Sequence, residues 1–179
     1  MKIQAYIIGF LLRHGPMHGY KLIQVIREQT SLFSEVKQPT LYYHLEKLKE
    51  KGLLEMQSEQ EGKRPERAVY SVTEKGKQQL QVLLREMLAE SYQPEFAVDN
   101  VLFFGDMIQT NELLDALSKR ENELAAVLNE VKIRKEEYLR LVTQRQWQHI
   151  SAIFAHRILH LEAEIRWLKE TSYGIIRNR

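Results

Sequence analysis

The sequence predicts a mainly α protein with a small β-hairpin, and three observations support this prediction. Residues 39–51 follow the apolar spacing of an amphipathic helix and stop at Gly52. Two short extended runs at 53–57 and 67–72 come next, joined by a polar loop with Gly and Pro. Residues 111–145 contain neither Pro nor Gly. This order predicts an N-terminal winged helix-turn-helix followed by a helical, coiled-coil-like C-terminal domain.

The helix at 39–51 separates apolar and polar side chains onto different faces. Leu41, Leu45 and Leu48 recur at spacings of four and three, so they lie along one face. The other side carries hydroxyl, imidazole and ammonium groups that can meet phosphates and base edges in a major groove. A Tyr at position 42 equally suits packing against the preceding helix, with its hydroxyl at the solvent. The candidate DNA-binding residues of this helix are Thr40, Tyr42, Tyr43, His44 and Lys47.

The loop between the extended runs carries cations near its tip. Lys63 and Arg64 lie there, and Arg67 begins the returning strand. A hairpin with cations at its tip can straddle a phosphate backbone, so these three residues are candidate wing contacts. Three glutamates of the same hairpin would repel phosphates if they pointed at DNA. The alternatives are a solvated surface hairpin, or a winged helix that binds a protein instead of DNA.

The segment before this helix predicts two further helices. Residues 3–12 are apolar, are too few to span a bilayer and precede no cleavage site, so they predict a buried first helix. Residues 15–19 predict a turn, and residues 20–28 predict a second helix with an apolar inner face.

Four ordered motifs resemble those of the PadR-like transcriptional regulators. They are Gly-Tyr-Lys-Leu at 19–22, Thr-Leu-Tyr at 40–42, Gly-Lys-Arg-Pro at 62–65 and Tyr-Ser-Val-Thr-Glu-Lys-Gly at 70–76. The resemblance covers about the first 80 residues. It implies a regulator, mostly a repressor, that binds double-stranded operator DNA at a promoter as a homodimer. It also implies a helical dimerisation domain and, in some members, release from DNA by a small-molecule effector.

Charge is distributed unevenly along the 179 residues, whose net charge is +2. Residues 1–80 contain 13 Lys and Arg against 9 Asp and Glu, and residues 81–179 contain 13 against 15. The positive half is the one with the helix and hairpin, as binding to phosphate requires. We therefore predict a DNA-binding domain with its exit helix over 1–91, and a helical dimerisation and effector domain over 92–179.

Several classes of function are excluded by what the sequence lacks. Without cysteine there are no disulfides, thiolate nucleophiles or thiolate metal sites. We find no Gly-rich phosphate loop, no Ser nucleophile elbow and no His–carboxylate pair in a catalytic setting, and therefore predict no enzymatic activity and no cofactor. No apolar run is long enough for a membrane helix, so we expect a cytoplasmic protein.

The second half predicts self-association through long helices. Thr73 can cap a helix that runs to about residue 91, and residues 96–104 predict another. An unbroken helix over 111–145 would be about 50 Å long, more than one small core can cover. An intramolecular hairpin with the final helix is compatible with a dimer of such hairpins. The predicted dimerisation residues are Leu124, Leu128, Val131, Ile158, Leu161, Ile165 and Leu168.

Histidines recur along one side of the final helix. His149, His156 and His160 are spaced by seven and four residues. The pattern favours a solvated face or a dimer seam. The alternative is a metal-responsive regulator in which His156 and His160 share a metal, with His149 or Glu164 as a third ligand.

Aromatic residues of the second half indicate an effector pocket. Such pockets are mostly apolar and aromatic, although aromatics at helical spacing also suit an ordinary core. The candidate lining residues, expected where the two domains meet, are Phe96, Phe103, Tyr138, Trp147 and Phe154.

Overall fold

The computed structural model describes residues 2–30, 36–59 and 67–177. It divides into two compact units, Met1–Gln93 and Pro94–Arg179. The first unit contains α1 (Lys2–His14), β1 (Met17–His18), α2 (Gly19–Thr30), α3 (Gln38–Glu50), β2 (Leu54–Glu59), β3 (Arg67–Val72) and α4 (Glu74–Ala89). The second contains α5 (Ala97–Phe103), a 3-10 turn (Gly105–Met107), α6 (Thr110–Leu139) and α7 (Gln144–Arg177). None of the described helices is long and apolar enough to cross a membrane.

The first unit is built around one core to which all four of its helices contribute. Ile7 and Ile8 of α1, Leu22 of α2, and Leu41 and Leu45 of α3 are fully buried. Each buried side chain of this size stabilises the fold by about 1.5–3 kcal/mol relative to an exposed one. The apolar face of α3 is therefore fixed inward, which leaves its polar face outward.

A third strand completes the hairpin sheet. The strands lie in the order β1-β3-β2, and both pairs are antiparallel. The predicted turn at 15–19 is wrong in part, because Met17 pairs with Tyr70 and His18 with Val69. A two-residue strand between a Gly-Pro pair and a helix has too little sequence to show an alternating pattern.

The end of α3 is closed by the glycine that the sequence predicted. Gly52 has a φ of +66°, the left-handed conformation that glycine adopts most readily. Its amide donates to the Lys49 carbonyl at 2.9 Å, and the Leu53 amide donates to the Leu48 carbonyl at 2.9 Å. These two bonds form a Schellman motif, which satisfies carbonyls at the end of α3 and turns the chain into β2.

Thr73 ties the end of α3, the hairpin and the start of α4 together, and its predicted capping role is confirmed. Its hydroxyl oxygen accepts a bond from the Gly76 amide at 3.0 Å. The same hydroxyl lies 2.9 Å from the Gly52 carbonyl and 3.1 Å from the Leu53 carbonyl, to which it can donate. We name this contact of Gly52, Leu53, Thr73 and Gly76 the cap junction.

The second unit is an antiparallel hairpin of α6 and α7 with α5 packed beside it. Val98 of α5, Leu113 and Leu117 of α6, and Leu168 of α7 form its small buried cluster. Three ion pairs join α6 to α7. Their N–O distances are 3.0 Å for Arg120–Glu164, 2.9 Å for Lys132–Glu162 and 3.6 Å for Lys169–Glu121.

The predicted unbroken helix at 111–145 is wrong in its last turns. Helix α6 ends at Leu139, and α7 begins at Gln144. Thr143 precedes α7, and the side-chain Oε1 of Gln146 accepts a bond from the Thr143 amide at 3.2 Å and from the Thr143 hydroxyl at 3.0 Å. The Gln146 bond to the Thr143 amide is one half of a capping box, whose Thr-x-x-Gln pattern marks a helix start without Gly or Pro.

Part of the predicted dimerisation stripe is used inside one chain. Val131 is 4% exposed and Leu168 is fully buried in the chain itself, so neither side chain is available to a second copy. The remaining members are half-buried, in the α6–α7 hairpin: Leu124, Leu128, Ile158, Leu161 and Ile165. An apolar stripe at this spacing predicts that a helix has a partner, but it does not distinguish an intramolecular partner from another chain.

We predict that Gly76→Ala destabilises the first unit by about 1–3 kcal/mol. A Cβ at this position would overlap the Leu53 carbonyl oxygen and lie 2.8 Å from a methyl group of Val72. Gly9→Ala in α1 is the matched control, since a Cβ there meets nothing within 4 Å. It should stabilise the unit by about 0.5–1 kcal/mol, because Ala is the better helix former. Denaturant titration measures both, and equal effects of the two substitutions would contradict the prediction.

Candidate nucleic-acid interface

The outer face of α3 presents two tyrosines beside the hairpin. Tyr43 is 60% exposed and Tyr42 is 41% exposed, whereas Thr40 is half-buried in the first turn. Pro39 lies in the first turn, where its missing N–H removes no helical hydrogen bond. The exposed phenols can donate to base acceptors or phosphates and can stack on sugars or bases. Three of the five predicted residues, Tyr42, Tyr43 and Lys47, therefore stand on an accessible side of the helix.

The lysines of α3 are paired with glutamates of the same helix. Lys47 lies 2.7 Å from Glu50, and Lys49 lies 2.6 Å from Glu46, both three residues apart. Glu50 raises the pKa of Lys47 by accepting a hydrogen bond, and Lys49 lowers the pKa of Glu46 in the same way. The outer face of α3 is thus close to neutral. We did not predict Glu46 and Glu50 as part of the site, although Lys and Glu three residues apart are a readable signal.

Tyr70 connects the hairpin to α3. Its hydroxyl, in β3, donates to the Glu46 carboxylate at 3.0 Å. The ring is 7% exposed and approaches Gly19 so closely that a Cβ there would lie 3.2 Å from it. The Glu46 side chain is consequently held between Lys49 and Tyr70. No sequence pattern indicates this contact, because its partners are 24 residues apart.

His44 differs from the other residues predicted for this helix. It is half-buried and lines a cavity of about 320 Å³ with Lys2, Ile3 and Glu90. Its Nδ1 is buried and has no hydrogen-bond partner among the described residues. Burial, followed by nearby positive charge that includes Lys51, lowers its pKa. The helix turns His44 toward α1 and the end of α4. A neutral imidazole on this side of α3 contributes no charge to a phosphate contact.

The structure describes only the base of the predicted wing. Glu59 pairs with Arg67 across the last rung of β2 and β3. Lys63 and Arg64 lie outside the described residues. This last rung lies at the end of the sheet remote from the cap junction.

The aromatics predicted for an effector pocket do not come together within the second unit. Tyr138 and Phe154 are neighbours with ring centroids 6.2 Å apart, and Trp147 begins the same end of α7. Phe103 is 80% exposed and lies in α5, which packs against the first turns of α6. Phe96 precedes α5 and is 44% exposed. The two groups are separated by most of the length of α6.

The histidines of α7 are exposed, and two of them are in contact. The Nε2 atoms of His156 and His160 are 3.1 Å apart, and their rings meet edge to face. His149 is also exposed. Among the residues that the structure describes, no group of three or more His, Asp or Glu side chains is arranged to hold a metal ion.

Comparison with known proteins connects this architecture to one family. Residues 7–82 match the model of the transcriptional regulator PadR-like family. The negative transcriptional regulator PadR of Bacillus subtilis is 27% identical over 131 residues, which cover 70% of this chain and 71% of that protein. Residues 7–82, which match the family model, contain α3, the cap junction and the β2–β3 hairpin.

Solved structures share the fold over nearly the whole chain. Bacillus subtilis PadR in complex with operator DNA has a TM-score of 0.76 at 20% identity and covers 98% of this chain and 99% of its own. The same protein in complex with p-coumaric acid has a TM-score of 0.75 at 20% identity, with 97% and 98% covered. The Vibrio cholerae virulence activator AphA has a TM-score of 0.75 at 15% identity, with 99% of each chain covered.

The Tyr70–Glu46 contact predicts an alkaline change in stability. Burial first, and then the bond to Glu46, raise the pKa of Tyr70 from 10.0 to about 12. The neutral phenol is the form that the fold favours, so its contribution to the free energy of unfolding is complete below about pH 10 and is lost as the pH rises to about 12. Tyr70→Phe should cost about 1 kcal/mol near pH 8. Denaturant titrations should show this difference from the wild type closing between about pH 10 and pH 12, whereas Tyr43→Phe should show no such closure.

Proposed function

We propose that this chain is a PadR-like transcriptional regulator that binds operator DNA and represses transcription. One observation carries the proposal: the core fixes α3 so that Tyr42, Tyr43 and Lys47 face outward beside the β2–β3 hairpin, within the segment that matches the family. The proposed activity is binding, without catalysis and without a cofactor, at promoter DNA in the cytoplasm.

The proposed contacts are of two kinds, those with base edges and those with the phosphate backbone. The helix α3 enters the major groove, where Thr40, Tyr42 and Tyr43 meet base edges. The wing cations bind the phosphate backbone beside it: Lys63, Arg64 and Arg67. Lys47 offers less net charge to a phosphate than a free lysine, since it is paired with Glu50 at 2.7 Å. Affinity should therefore come mainly from the wing and selectivity mainly from the helix.

Repression is favoured over activation by the relatives. The Bacillus subtilis protein, at 27% identity, is a negative regulator, whereas the virulence activator AphA shares the fold at 15% identity. A repressor acts by occupying promoter DNA against polymerase. We propose that an effector of the class of p-coumaric acid, a small aromatic acid bound by Bacillus subtilis PadR, ends this occupancy.

A homodimer suits both the surface and the target. Leu141 is 84% exposed, Leu159 is 66% exposed and Ile133 is 53% exposed on the α6–α7 hairpin. These side chains become buried if two hairpins pack together, and a two-fold dimer presents two α3 helices to two half-sites. Of the predicted stripe, the half-buried members can border such an interface, whereas Val131 and Leu168 cannot.

The proposed effector site lies at the end of the α6–α7 hairpin where α7 begins. Tyr138 and Phe154 are neighbours, and Trp147 lies two turns before Phe154 on α7, so a planar ligand could stack against aromatic rings at this end. Phe96 and Phe103 lie at the other end and would line a different surface.

The first test of the proposed function measures DNA binding by the full chain. Fluorescence anisotropy should show selective binding to DNA from upstream of its own gene, two chains per site, with affinity that falls as salt rises. The double variant Lys63→Glu with Arg64→Glu should weaken binding about tenfold or more and reduce the salt slope. Equal, weak binding of specific and scrambled DNA, unchanged by the charge swap, would instead support the alternative of a winged helix that binds a protein partner.

A second prediction concerns the neutralised lysines of α3. Glu50→Gln should raise DNA affinity about two- to fivefold, because it removes a carboxylate from the interface and releases Lys47. Glu74→Gln is the matched control: its partner Lys77 is also three residues away, at 2.8 Å, but the pair lies in α4 outside the proposed contacts. Titrations with the same DNA should show no change for the control. Equal changes in the two variants would mean that net charge alone decides the affinity.

A further inference from the structure

We propose that His156 and His160 of α7 form a chelating site for a divalent transition metal that prefers imidazole, such as copper, nickel or zinc. The two residues are four positions apart, so their rings extend from the same side of the helix. Both are exposed in the chain, which leaves the site open to metal from solution. The inference does not depend on the proposed function, because it rests only on this pair.

The distance between the two ring nitrogens matches bidentate coordination. The Nε2 atoms are 3.1 Å apart. With metal–nitrogen bonds of about 2.0–2.1 Å, this separation corresponds to a nitrogen–metal–nitrogen angle of about 95–100°. That angle lies between the right angle of square-planar or octahedral coordination and the tetrahedral angle. The helix therefore holds the two donors at the required spacing before any metal binds.

The chemistry of the contact also allows a metal to enter. In the metal-free pair, one neutral Nε2–H can donate to the other Nε2. On binding, the proton of the donor ring moves to its own Nδ1, so both Nε2 lone pairs become available and both rings stay neutral. The metal then bonds both Nε2 atoms from a point beside the line that joins them, because an ion on that line would lie only about 1.55 Å from each nitrogen, shorter than a metal–nitrogen bond. Neutral imidazole is a ligand of zinc, copper and nickel.

The chain supplies two protein ligands to this site. The nearest carboxylate along the same side, Glu164, is paired with Arg120 at 3.0 Å. His149 is two helical turns before His156, a rise of about 10 Å, and is too far to join the same ion. Water fills the remaining positions, so the site should bind exchangeably and should favour copper and nickel over zinc in affinity.

Isothermal titration of the full chain with copper, nickel and zinc salts tests the proposal. We expect one site per chain, with affinity at least about tenfold lower in His156→Gln and in His160→Gln, because each loses the chelate. His149→Gln is the matched control, an exposed histidine of the same helix side with Ile153 at the following i+4 position. It should bind as the wild type does.

Two outcomes would overturn the proposal. One is an unchanged isotherm for the double variant His156→Gln with His160→Gln, which would place any bound metal elsewhere. The other is a loss in His149→Gln as large as in the two single variants, which would mean scattered binding by surface histidines. Circular dichroism of every variant establishes that α7 remains folded. A rise in Tm with nickel, present in the wild type and absent in the double variant, is the independent readout.

Discussion

The first unit depends on how the chain leaves α3. Gly52 adopts the left-handed conformation, and the carbonyls of Gly52 and Leu53 then lie within reach of the Thr73 hydroxyl. Thr73 also accepts the Gly76 amide, so one side chain joins the end of the recognition helix to the start of α4. The angle between α3, the hairpin and α4 is therefore set by a few short bonds. Hydrophobic burial holds the helices together, but it does not select among the neighbouring angles that bury the same area.

The charges of the proposed interface separate two tasks, phosphate binding and base recognition, that one helix often combines. The lysines of α3 are neutralised within the helix, and Glu46 is further fixed by Tyr70 of the hairpin. A helix with this charge balance gains little from phosphates, and in the proposed complex the discrimination of bases falls to its tyrosines. Strand β3, whose Tyr70 binds Glu46, is also the strand next to the proposed wing cations. Displacing the hairpin would therefore change the charge presented by α3 as well as the proposed phosphate contacts.

Much of the first unit was predictable because its signals are local. The stop at Gly52 and the cap at Thr73 follow from residue types with one dominant backbone role. The two-residue β1 could not be predicted, since its pairing with β3 joins segments about 50 residues apart. The Glu46–Tyr70 contact is non-local in the same way. The break before α7 was encoded in a capping box but was hidden by continuous helical periodicity.

The α6–α7 hairpin has a mechanical consequence. Its thirty-residue α6 is about 45 Å long and is bound to α7 by ion pairs placed along its length, at Arg120 and again at Lys132. If the two packed helices turn as one body, a rotation at one end is carried to the other. A rotation of about 5° at one end displaces the other by about 4 Å, given that length. A ligand at the effector site proposed beside Phe154 that turned the helices by this angle would thus move their remote ends much further than the side chains it touches.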